Sequence, residues 1–176
     1  MLYQERDEEK RANFIKSLEE IPAEQRIYLD ESGINQYLHR EYGRSIRGEK
    51  IVGEISGKRF ARQSVISALC KGKLLSPMCF EGTCDTSLFN VWLKQVLIPN
   101  LTAGQVLILD NASFHKSIES QKLVEAAGCK ILFLPPYSPD LNPIEKYWVN
   151  MKTKVRELLP KVGTFTEALD GAVLSM

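Results

Sequence analysis

QVLILDNASFH, residues 105–115, joins an unbroken apolar run to an abrupt polar end. Val106, Leu107, Ile108 and Leu109 run without polar alternation, the mark of a strand buried on both faces. Such strands belong to parallel sheets covered by helices on both sides. The run ends abruptly on Asp110 and Asn111, where the chain must leave the sheet.

On either side of this run, apolar patterns of helix and strand alternate. Upstream, DTSLFNVWLKQVL (85–97) places Leu88, Trp92, Leu93 and Val96 on one helical face, with Asp85 as N-cap and Pro99 as stop. Downstream, Ile118–Ala127 is helical and Gly128 suits its C-cap. KILFL (130–134) is a second buried strand, and Pro143–Leu159 a long helix. Before all of these lie three β-rich runs: Arg26–Glu31, Arg59–Leu69 and Leu74–Phe80. Gly72, in a Lys-Gly-Lys turn, suits a hairpin between the last two, and Pro77 argues against a central position for the third. The order is β-β-β-α-β-α-β-α: an antiparallel meander, then α and β alternating in parallel. The expected class is α/β, a ribonuclease H-like fold with a mixed five-stranded sheet flanked by helices.

The chain has 176 residues, enough for one domain with a substantial core. Apolar residues are 44% and charged residues 26%, a globular composition, and the net charge of +1 requires any nucleic-acid contact to come from local patches. Apolar runs fall short of the ~20 residues of a membrane span. The charged start MLYQERDEEKRANF lacks a signal-peptide apolar core, so the expected location is the cytosol. Cys70, Cys79, Cys84 and Cys129 form no Cys-x-x-Cys pair and read as reduced, mostly buried thiols. Residues 5–20 suggest a surface helix with Phe14, Ile15 and Leu18 as its apolar stripe. Residues 1–25 thus read as an N-terminal helical connector, 26–160 as the main domain, and 161–176 as a helical tail.

Two acids end apolar strands: Asp30 after RIYL and Asp110 after QVLIL. In open α/β sheets ligands gather outside the carboxyl ends of the parallel strands. The proposed fold makes these strands neighbours. Two close carboxylates repel unless one is protonated or a cation lies between them. Oxygen donors without His or Cys suit Mg²⁺ or Mn²⁺ rather than zinc. Each aspartate alone would also serve as a turn former. A third acid follows PPYSPDLNP: in Asn142-Pro143-Ile144-Glu145, Glu145 stands at N3 of the last helix. There it has two readings, a capping-box partner or a carboxylate aimed at the other two. Asp140 reads as a turn residue.

The blocks YLDESG (28–33), YGRSIRGEK (42–50), LILDNASFHKS (107–117) and LPPYSPDLNPIEKYWVNMK (134–152) resemble bacterial insertion-sequence transposases of the mariner-like superfamily, in their DDE endonuclease domain. The resemblance spans about 22–160, with 34 residues between Asp110 and Glu145. It implies that Asp30, Asp110 and Glu145 are the catalytic acids and hold two Mg²⁺ or Mn²⁺ ions. It also implies DNA cleavage at transposon ends and strand transfer into target DNA. The implied partners are terminal inverted repeats, target DNA and a helix-turn-helix portion of the same transposase; a homodimer is a candidate assembly.

Asn111 and His115 are secondary candidates beside the acids. Asn111 is expected to shape its turn, and His115 either to serve the site or to pack under the next helix. The most basic stretch supplies Arg40, Arg44, Arg47, Lys50, Arg59 and Arg62 as expected DNA contacts, with His39 and Lys58 among them. Trp148 is expected in the core. Only about 25 residues precede the first strand, and no recognition helix fits there. The chain is therefore expected to be a catalytic half, whether a second reading frame, a truncated copy or a fragment. The rival expectation is a non-autonomous fragment acting as regulator or remnant.

Overall fold

In the computed structural model the described residues are 5–34, 46–50 and 62–176. The elements follow in the order α1 (Glu8–Glu19), β1 (Arg26–Ile34), β2 (Gln63–Cys70), β3 (Lys73–Glu81), α2 (Thr86–Trp92), β4 (Val106–Leu109), α3 (Ile118–Ala126), β5 (Lys130–Phe133), α4 (Ile144–Leu158) and α5 (Phe165–Leu174). The strands form one sheet, β3-β2-β1-β4-β5, antiparallel across β3, β2 and β1 and parallel across β1, β4 and β5. This is the expected ribonuclease H-like arrangement. The β2–β3 hairpin turns through Lys71 (φ 48°) and Gly72 (φ 77°), two left-handed positions that match the twist of the strands. β3 is an edge strand, which explains why it tolerates Pro77.

Alternation along the strands divides the core in two. Ile27 and Leu29 of β1, with Leu107 and Leu109 of β4, pack on Phe89, Trp92 and Leu93 of the α2 region and Val124 of α3. The opposite face carries α4 and α5: Ile144, Trp148, Met151 and Val155 meet Leu169 and Ala172 over Val65 and Leu69. A smaller cluster on that face joins Phe14 of α1 to Val106, Ile108 and Leu134. Residues 165–174 are thus built into the core, and α5 starts with a complete capping box between Thr164 and Glu167.

Three local expectations change. β1 continues to Ile34, four residues past Asp30, because β2 keeps pairing with it after β4 has ended. The helix expected over 85–97 remains α-helical only to Trp92, then winds as a π-helix over Leu93–Leu97. There the Val96 carbonyl accepts hydrogen bonds from Ser76 Oγ (3.0 Å) and Asn100 Nδ2 (2.8 Å). Only Cys129 is buried outright; Cys70, Cys79 and Cys84 are half-buried free thiols.

Candidate active site

The register sets the first two acids. Parallel pairing of β1 with β4 ends at Tyr28 and Ile108. Asp30 and Asp110 each lie two residues further on, so both leave the paired region at the same height. Asp30 shares the face of Tyr28, toward α4, where the Trp148 indole N–H donates to Asp30 Oδ2 at 2.8 Å. Trp148 is buried as expected, and it also holds an acid in place.

Asp110 is held from the other face. Its Oδ1 accepts the Ala112 N–H (2.9 Å) and lies 2.8 Å from His115 Nδ1. His115 is fully buried, and its Nε2 lies 3.0 Å from Glu31 Oε1. Phe89 and Phe114 pack on the imidazole. Asn111 donates from Nδ2 to the Leu134 carbonyl, tying the turn after β4 to the end of β5. Glu31 escaped the sequence reading. Its only signal is its parity: it lies one residue from Asp30 and therefore on the opposite face.

Glu145 enters from the first turn of α4. Glu145 makes no capping-box bond; the Asn142 side chain accepts the Ile144 N–H at 3.4 Å through Oδ1 and donates to the Leu29 carbonyl at 3.1 Å through Nδ2. That bond anchors the start of α4 to β1, one residue before Asp30. Asp30, Asp110 and Glu145 line one cleft of about 410 Å³. Its far wall is Leu134–Pro139, where Tyr137 (φ 54°) holds a left-handed backbone. A second cleft shares Asp30 and Asp110 and is bordered by Glu31, Cys84 and Arg62.

The electrostatics are uneven. Burial, then the charges of Glu145 and Glu31, push Asp30 up to about 7, against the opposing Trp148 hydrogen bond. Burial also raises Glu145, with Asp110 adding to the shift and Lys152 opposing it. The His115 hydrogen bond pulls Asp110 below the usual carboxylate range, although burial opposes it. Burial disfavours charge on His115, yet its bonds to Asp110 and Glu31 outweigh that and lift it to about 9. The histidine is therefore an imidazolium at neutral pH, donating from both nitrogens.

Among the described residues, no group of three or more His, Cys, Asp or Glu side chains is gathered closely enough to cage a metal ion. Trp148 and His115 hold the two aspartates on opposite sides. The donor set nonetheless fits a hard divalent cation, since carboxylate oxygens face the cleft and both His115 nitrogens are already committed. Mg²⁺ keeps several waters and needs only one or two carboxylates. Of the expected DNA contacts, Arg47 and Lys50 are exposed, and Arg62 lies across β1 against Gly33. Arg40, Arg44, Arg59, His39 and Lys58 lie outside the described residues.

A family model for DDE superfamily endonuclease matches residues 25–166, from the start of β1 into α5. The chain belongs to this endonuclease family. An uncharacterized protein, y4pE/y4sA of Sinorhizobium fredii, is 44% identical to this DDE chain over 89 residues, covering 50% of the chain and 64% of that protein. The insertion element IS630 39 kDa protein of Shigella sonnei is 26% identical over 178 residues, covering 92% of the chain and 50% of its own length. The DDE chain thus spans about half to two thirds of these relatives. Its fold is that of the Mos1 transposase in a strand transfer complex: TM-score 0.68 at 16% identity, over 98% of this chain and 60% of the other. A Mos1 mariner paired-end complex with Mn is similar at TM-score 0.63 and 14% identity, over 98% and 61%. Among the described residues, no helix is long and apolar enough to cross a membrane.

Proposed function

We propose that this chain is the catalytic domain of a transposase, cleaving DNA at transposon ends and joining the freed end to target DNA. The observation that carries this reading is the single cleft reached by Asp30, Asp110 and Glu145 from three separate elements, inside a DDE endonuclease family match. Residues 26–160 are then the catalytic unit. DNA is the substrate, a helix-turn-helix portion of the same transposase the partner, and the bacterial cytosol the place of action.

The three carboxylates would hold Mg²⁺ or Mn²⁺. When bound, these ions activate the attacking oxygen, stabilise the leaving one and neutralise phosphoryl charge. The chain's own residues do the positioning. Asp110 stays ionised because His115 donates to it. Asp30 and Glu145 share a desolvated wall on which two negative charges repel, so a cation is favoured there. Pro135, Pro136, Pro139 and Pro143 restrict the backbone leading to Glu145, which limits the entropy lost in aiming it. Arg47, Lys50 and Arg62 offer charge to the phosphate backbone.

The test is strand cleavage of DNA carrying the element's terminal repeats, with Mn²⁺ or Mg²⁺, with and without the helix-turn-helix portion. Cleavage that disappears in Asp110→Ala and Glu145→Ala supports the reading. Near-normal cleavage by either variant refutes the assignment of the acids. Inhibition of an active transposase by this chain would favour a regulator instead.

A further inference from the structure

The loop that delivers Glu145 is gripped from outside the 26–160 unit. Arg11, in the second turn of α1, donates from Nη1 to Asp140 Oδ1 at 3.0 Å and from Nη2 to Asp140 Oδ2 at 2.7 Å. This is a two-bond fork across 129 positions of sequence. The Arg11 side chain is only 12% exposed, while Asp140 stands at the surface with 35% of its side chain exposed, so the two-bond geometry rather than burial sets this pair apart from an ordinary surface ion pair. A guanidinium matches a carboxylate in this geometry, and an ammonium does not.

The surroundings show what the pair holds. Leu134 and Leu141 flank the proline loop, and both pack in the cluster built by Phe14, Leu18 and Ile21 with β4. Asp140 lies in the 3₁₀ turn Pro139–Leu141. The Asn142 N–H donates to Pro139 O at 2.9 Å, and Glu145 N–H donates to Asn142 O at 3.2 Å. The Asn142 side chain reaches Leu29 beside Asp30. One short path of bonded residues therefore runs from α1 through the turn to Glu145, pinned by α1 on one side and β1 on the other.

We infer that Arg11 and Asp140 are positioning residues: their ion pair makes α1 a brace that sets where Glu145 stands relative to Asp30 and Asp110. Asp140 is then more than a turn former, and α1 more than a connector. Any displacement of α1 is transmitted to the acid. This rests on the reading of the cleft as a divalent-cation site.

The experiment is a Mn²⁺ titration of the full chain by calorimetry, well below the melting temperature, with circular dichroism and melting curves on each variant. Residues that orient metal ligands typically change metal affinity by about 10–100-fold. Arg11→Ala and Asp140→Asn should each weaken Mn²⁺ binding by about tenfold, and the double variant no more than either alone. Arg11→Lys keeps the charge and the stem, so it should fold, but it loses the fork and should fall between. A purely structural pair would lower the melting temperature while Arg11→Lys and Asp140→Asn kept Mn²⁺ affinity within about twofold of the parent; that result overturns the inference. Equal Mn²⁺ binding by the parent and Glu145→Gln would instead refute the cleft reading itself.

Discussion

Asp30 and Asp110 stand at the same height, just beyond the last parallel pair of β1 and β4, yet the two sides of the sheet treat them oppositely. On the α4 side, Asp30 meets a buried indole, the charge of Glu145 and little water, and its proton is held up to about 7. On the α2–α3 side, Asp110 meets a buried imidazole that also binds Glu31, and its carboxyl is pulled down. Position just beyond the last β1–β4 pair gives a carboxylate access to the cleft. The helix layer behind it decides whether it is charged. The pair therefore combines one acid whose ionised form is favoured with one whose charge awaits a cation or a rise in pH.

The largest test removes the acids. Asp110→Asn and Asp30→Asn should both reduce Mn²⁺-dependent strand cleavage by a factor on the order of 10³ or more, since each group acts as part of a unit. Far-UV circular dichroism should remain that of the parent. If Asp30→Asn alone kept activity, the two sides would differ in function as well as charge.

Next come the groups behind the acids. His115→Ala leaves Asp110 and Glu31 without their shared donor and opens a buried site. Urea unfolding should register a loss of roughly 2–4 kcal/mol, in the range for breaking a buried charged network. Trp148→Phe keeps most of the ring and deletes one donor, so its loss should be smaller, about 1–2 kcal/mol. Equal losses would show that packing, rather than hydrogen bonding, distinguishes the two sides.

The pH dependence of stability, measured without divalent cations, sharpens the contrast. The folded state holds the Asp30 proton up to about 7, against an ordinary value of 3.8, so between these limits it binds more protons than the unfolded chain. Stability from this group falls as pH rises through that window. The His115 contribution is fully present below about 6.5 and is lost as pH rises through about 9. Asp110 acts in the opposite sense, losing its contribution as pH falls into the acid range. Asp30→Asn should flatten the slope between about 4 and 7, and His115→Gln the slope between about 6.5 and 9. A slope unaltered by Asp30→Asn would show that Asp30 is ionised throughout.

The smallest effect concerns the second cleft. A methyl group at Gly33 would meet the Arg62 guanidinium, the far end of a flexible side chain. Gly33→Ala should therefore change stability by less than about 1 kcal/mol while moving Arg62. Arg62→Ala should lower the salt slope of DNA binding by about one. An unchanged slope would remove Arg62 from the DNA-contacting surface.

Much of this was legible in the residues themselves. The unbroken run Val106–Leu109 announces a doubly covered strand, the Lys-Gly-Lys turn a hairpin, and Pro77 an edge. These features follow from short-range rules: burial on both faces removes polar alternation, left-handed positions favour glycine, and proline lacks an N–H. Asp30 and Asp110 could be picked out because each follows an apolar strand run, a local pattern whose place in the fold follows from element order; Glu145 kept two readings until the resemblance to transposases joined it to them. Each acid's company, by contrast, is set by packing between distant segments. Glu31 was missed because neighbouring strand residues point to opposite faces, and nothing local says that an imidazole waits on that side. Trp148 was rightly expected in the core, but its bond to Asp30 spans 118 positions. Asp140 looked like a turn residue until Arg11 arrived from 129 positions away. Apolar pattern determines which face a side chain takes. Partner, burial and charge state depend on what the packed chain brings against that face, and they exist only once it has folded.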